Sequence, residues 1–75
     1  MKNKHPYLIK LGQTIRKLRE QQGYSQEEFA AVVGIDRSYM GGVERGERNV
    51  GFDNLLKIAR ALSRHPSELF RRFPK

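Results

Sequence analysis

Between Tyr7 and Gln22, apolar residues recur at Leu8, Leu11, Ile15 and Leu18, in steps of three and four. That spacing predicts an amphipathic helix, with Lys10, Arg16, Lys17 and Arg19 on its other faces. Gly23 follows as a C-terminal cap, since glycine accepts the left-handed conformation there. Gly12 inside this helix costs about 1 kcal/mol relative to alanine. Close packing of another element would explain it. Ser25 and Glu28 form an S-x-x-E capping box that opens a second helix. Phe29, Ala30 and Val33 point inward and Gly34 ends it. Ile35 turns into the core, and Asp36 is a good N-cap for a third helix from Arg37 to about Arg45. Met40 and Val43 are its buried residues, and Gly46 stops it.

The polar segment from Glu47 to Gly51 reads as a loop. Phe52, Leu55, Leu56, Ala59 and Leu62 give the clearest 3.6-residue period in the chain, and predict a fourth helix from Phe52 to Leu62. Asp53 suits its positive N-terminus. Pro66 fits the first turn of a fifth helix carrying Leu69, Phe70 and Phe73, with Pro74 closing it. No segment alternates with period two, so no sheet is expected. The pattern predicts an all-α fold, a compact five-helix bundle. Residues 1–6 read as a basic tail and 7–73 as a single domain.

Composition narrows the class. Seventy-five residues suffice for one small domain. No apolar run reaches the length of a membrane span, and the start, MKNKHPY, does not lead into a signal peptide. A cytoplasmic protein is expected. With no cysteine, disulfides, thiolate metal sites and a cysteine nucleophile are excluded. The net charge of +7 points to a polyanionic partner, although basicity alone is weak support.

The stretch from Ser25 to Gly46 is the most informative. It reads as two short helices joined by a glycine turn, the second built to lie against DNA. Gln26-Glu27-Glu28, Ala30, Gly34-Ile35, Tyr39 and Glu44-Arg45-Gly46 together resemble the phage repressor and Cro type of helix-turn-helix protein. The segment LLKIARALSRHPSELF is similar to the last two helices of that family, so the resemblance covers roughly residues 8–70. It implies a lambda repressor-like DNA-binding domain. Asp36-Arg37-Ser38-Tyr39, Gly42 and Glu44-Arg45-Gly46-Glu47-Arg48-Asn49 resemble, more narrowly, the controller proteins of restriction–modification systems. Those are small homodimeric transcription regulators. Many stand-alone repressors share most of that pattern. There are three departures from the family pattern. His65 replaces a Ser or Thr cap, which leaves the fifth helix poorly capped. Gly51 replaces a Ser or Thr cap of the fourth helix. Gly41 and Gly42 are successive glycines where one is familiar.

The residues at the start of a recognition helix reach furthest into the major groove. Arg37 can bond O6 and N7 of a guanine, a pairing that gives about 1–3 kcal/mol of discrimination. Its alternative is a surface ion pair with Asp36. Ser38 can bond a base or a phosphate. Tyr39 can touch a thymine methyl or a phosphate, or simply pack. Gly41 and Gly42 let the helix backbone approach DNA, with Gly42 a candidate base contact; the alternatives are close packing against another helix or a neutral loss tolerated by the core. Arg48 can reach a base. Ser25, Gln26, Arg45 and Asn49 are candidate backbone contacts, with Gln26 and the open N–H groups of its turn gripping one phosphate. The alternative for Gln26 is a plain helix-start residue. The resemblance implies that Glu44 pairs inward with Arg19; Arg16 is the other candidate.

A single recognition helix covers few base pairs, and no second domain is evident, so a homodimer on a palindromic operator is expected. Leu69, Phe70 and Phe73 are the candidate interface, the alternative being plain core packing. RNA polymerase is a candidate partner, with Glu27 or Glu47 as the acids that would touch it. Neither His5 nor His65 has a spaced metal-binding partner, and there is no phosphate loop or nucleophile elbow. No enzyme, cofactor, metal or membrane partner is therefore expected. The competing function is a protein-interaction module or antitoxin-like subunit on the same fold. RNA binding is disfavoured because no sheet carries exposed aromatics.

Overall fold

The computed structural model describes residues 5–73; the Lys2 and Lys4 part of the basic tail and the stop at Pro74 lie outside them. Four α-helices appear: α1 (Pro6–Gln21), α2 (Gln26–Val33), α3 (Arg37–Glu44) and α4 (Phe52–Ala61). A 3₁₀ helix, Pro66–Phe70, follows, and no strand occurs among the described residues. The all-α class holds, but the fifth element is not an α-helix. Five residues are too few to repay α-helix nucleation, and tighter i→i+3 bonding suits so short a piece. Pro6, expected in the tail, is instead the first residue of α1.

Local chemistry sets the ends. His5 Nδ1 accepts from the Tyr7 N–H at 3.1 Å and caps α1. Gln22 is the C-cap of α1, and Gly23 after it takes φ +84°. The Tyr24 N–H then reaches Arg19 O at 3.2 Å and the Gly23 N–H reaches Glu20 O at 3.0 Å, a Schellman closure. Ser25 and Glu28 cap each other as the sequence predicts. Asp36 Oδ2 accepts from the Ser38 and Tyr39 N–H groups at 2.9 and 3.3 Å. Gly51 gives α4 no side-chain cap. The 3₁₀ helix is better capped than its sequence implied: His65 Nδ1 accepts from the Ser67 N–H at 3.1 Å.

Ile15, Phe29, Met40, Ile58, Leu62 and Leu69 are fully buried at the centre, with Leu11, Ala30, Val33, Val43 and Ala59 around them. All helices contribute, so none is stable alone. The inward face of α4 is Ile58 and Ala59, joined by Leu62 at its C-cap, whereas Phe52 is 72% exposed and Leu56 36% exposed. The apolar stripe read from sequence took in these two exposed residues and missed Ile58, which is fully buried. Leu69, expected at a dimer interface, is fully buried in its own protomer and has no surface to offer.

Gly12 is explained by the approach of α3. A Cβ there would press on the Val43 carbonyl oxygen and lie 2.5 Å from that of Glu44. Only a glycine lets these two helices pack so closely. That contact fixes how α3 is presented.

Candidate nucleic-acid interface

The α2–turn–α3 unit is held at three points. At the turn, Gly34 takes φ +87° and both its N–H and that of Ile35 return to Ala30 O, at 2.8 and 3.0 Å. At the start of α3, Asp36 spends one carboxylate oxygen on two backbone N–H groups. At the end of α3, Glu44 is clasped by Arg19 of α1, Nε to Oε2 at 2.8 Å and Nη2 to Oε1 at 3.0 Å. Gln26 Nε2 adds a third bond to Glu44 Oε1, at 3.0 Å, and Arg19 Nη1 donates to Tyr24 O at 2.9 Å. The carboxylate is thus neutralised inside the fold. The Glu44 bonds raise the pKa of Arg19 still further, against the opposing effect of burial. Arg16, the other candidate partner, bonds Glu20 at 3.1 Å instead.

Arg37 and Ser38 are exposed on the first turn of α3. With Gln26, Gly41 and Arg45 they line a shallow polar groove of about 240 Å³. A second opening of about 500 Å³, lined by Arg16, Arg19, Ser25, Gln26, Glu44 and Arg45, continues along the start of α2. Arg37 makes no ion pair among the described residues, because Asp36 is turned to its helix cap. Gln26 gives one amide hydrogen to Glu44, so its side chain is aimed and not free. The capping box leaves the Gln26 and Glu27 N–H groups without intrahelical partners, the arrangement that attracts anions. Arg45 extends over Gly41 and bonds Glu47 at 3.1 Å. Glu27, on the same helix end, is exposed.

Tyr39 is half-buried and packs against the core with part of its ring. Arg48 is exposed, and its guanidinium stands over that ring. Gly42 lies beneath the Arg48 stem, so its bare backbone faces this chain's own arginine. Asn49 is exposed on the following loop. The network of Gln26, Glu44 and Arg19 was only partly legible: the ion pair came from the resemblance, and the glutamine link had no sequence signal of its own. No group of His, Asp and Glu suited to a metal occurs among the described residues. No described helix is long and apolar enough to cross a membrane.

Comparison with known proteins agrees with this geometry. A family profile described as Helix-turn-helix matches residues 15–69. Control protein C.MunI of Mycoplasma sp is 46% identical over 63 residues, which cover 83% of this chain and 85% of that protein. Control protein C.BamHI of Bacillus amyloliquefaciens is 41% identical over 59 residues, covering 77% and 73%. The crystal structure of the restriction-modification controller protein C.AhdI from Aeromonas hydrophila superposes with a TM-score of 0.85 at 55% identity, over 88% of this chain and 100% of that one. The chain therefore belongs to the helix-turn-helix family of Cro type and, within it, groups with the restriction–modification controller proteins.

Proposed function

We propose that this protein is a transcription regulator that binds a palindromic operator as a homodimer, and that the genes it controls include those of a restriction–modification system. The observation that carries the reading is the exposed pair Arg37–Ser38. It opens a capped helix and shares one cationic groove with Gln26 and Arg45. Arg37 and Ser38 read base edges, joined by Tyr39 and Arg48 from the flank of α3. Ser25, Gln26, Arg45 and Asn49 hold phosphates and fix the register. The names of the relatives support the choice of regulated genes.

The dimer supplies two such helices to half-sites about 34 Å apart. Its surface is the outer face of α4, where Phe52 and Leu56 lie one turn apart and exposed. A two-fold axis pairs such a patch with itself. Phe70 and Phe73 are half-buried, and Phe73 stacks on Tyr7 at 4.8 Å, so their rings already serve the protomer.

Selection of random duplexes by wild-type protein and by Arg37→Ala tests the function. A palindromic motif whose guanines lose enrichment in the variant supports it. Binding without a motif, fading only with salt, refutes it and favours the interaction-module function.

A further inference from the structure

The side chain of Arg48 runs over the bare backbone of Gly42. A Cβ on Gly42 would lie 2.7 Å from Arg48 Cγ, 3.5 Å from Nε and 3.6 Å from Cδ. The stem ends with Cζ 5.7 Å from the centroid of the Tyr39 ring, inside the range of a cation–π contact. Tyr39 and Gly42 are three apart on α3 and so share a face. The loop that brings Arg48 there is tied to the same glycine. The Glu47 N–H donates to Gly42 O at 2.8 Å, and Gly46 turns the chain back with φ +77°.

Other uses of a glycine do not account for this one. Gly42 has no left-handed φ, and the atoms nearest its missing Cβ all belong to Arg48. Gly12, by contrast, is pressed by backbone of α3. Alanine at position 42 would favour the helix, so the glycine runs against local propensity. We propose that Gly42 is a specificity-determining positioning residue. Its empty side-chain position is the seat that lays Arg48 against Tyr39 and makes the loop arginine and the helix tyrosine one base-reading unit. The clash in an alanine variant falls on Cγ, near the root of the side chain. Relief requires rotation about Cα–Cβ, the one side-chain torsion that moves Cγ, and that rotation carries the guanidinium off the ring. The inference rests on the DNA-reading function proposed above.

The test compares wild type, Gly42→Ala, Arg48→Ala and the double variant, by NMR of the arginine Nε–Hε signals and by selection from random duplexes. The Arg48 Hε signal, shielded by the Tyr39 ring in wild type, is expected to move to the position of a free arginine in Gly42→Ala. The enriched motif is expected to lose about tenfold preference at the bases that Arg48→Ala also relaxes, while guanines read by Arg37 stay enriched. The double variant is expected to match Arg48→Ala, since the seat has no use without its occupant. Tyr39→Leu keeps the seat and removes the ring; the Arg48 signal is expected to shift there too, and if Gly42→Ala does not fold, an unmoved signal in Tyr39→Leu overturns the proposal, because Arg48 then does not lie on the ring. An unmoved Arg48 signal, an unchanged motif in Gly42→Ala or a further loss in the double variant overturns the seat alone. A wild type without any motif overturns the DNA-reading function and the specificity role with it.

Discussion

Arg19 and Glu44, on α1 and α3, meet through two parallel hydrogen bonds of 2.8 and 3.0 Å, with only 8% and 3% of their side chains exposed. The pair sets the rotation of α3 about its axis, and hence which residues of that helix face outward. Removing one partner leaves the other charge buried and alone, at a cost of about 3–5 kcal/mol. A core this small supplies little more than that in total. Arg19→Ala and Glu44→Ala are each expected to be largely unfolded at 37 °C, as followed by circular dichroism in urea. A loss under about 1 kcal/mol would show that the pair is decorative.

Gly12→Ala tests the other clamp between α1 and α3. Alanine improves helix propensity by about 1 kcal/mol. Against that, its Cβ meets the Val43 and Glu44 carbonyls, which are backbone and cannot swing aside. Overpacking of this kind costs about 1–3 kcal/mol, and relief by separating the helices also weakens the Arg19–Glu44 bonds. The melting temperature is expected to fall by about 4 °C or more. A rise would mean that α1 and α3 are not held this closely.

How far the sequence carried the fold depended on which forces are local. Helix starts were legible because Ser25–Glu28 and Asp36 cap through neighbours in sequence. Glycine stops at Gly23, Gly34 and Gly46 were legible for the same reason. Ser63 takes φ +56° in the same role after α4, and no glycine announced it. The Arg64 N–H bonds Ala59 O at 2.9 Å there and completes a closure that a serine only tolerates. Leu69 and Phe52 were misplaced for a different reason. Both are apolar at helical spacing, and periodicity does not tell which edge of a wide stripe the core will cover. At the candidate site, the exposure of Arg37 and Ser38 followed from their place at a helix start. The seating of Arg48 on Gly42 depends on how a loop folds back in space.

Phosphate contacts should separate from base contacts by their salt dependence. Arg45 is exposed, extends over Gly41 and is braced by Glu47 at 3.1 Å. As a backbone contact it adds the same increment of affinity to every sequence. Arg45→Ala is expected to weaken operator and random DNA alike, and to flatten the slope of log K against log salt by about 1. Fluorescence anisotropy from low to moderate salt measures it. A change in the preferred sequence with an unchanged slope would move Arg45 to the bases.

The dimer surface has its own test on α4. Phe52 is 72% exposed and Leu56 lies one turn further along, while Ile58, Ala59 and Leu62 hold the helix to the core. Charges on the outer face therefore spare the fold and oppose only self-association. In Phe52→Glu with Leu56→Glu, a two-fold axis brings like charges together at the centre of the contact, where truncations cost the most. Sedimentation is expected to show a monomer at concentrations where wild type is dimeric, with the circular dichroism spectrum unchanged. Affinity for a full palindrome is expected to fall at least ~30-fold, whereas affinity for an isolated half-site stays the same. A variant that remains dimeric would place the interface elsewhere. A monomer that still binds the full palindrome as tightly as wild type would remove the need for a dimer.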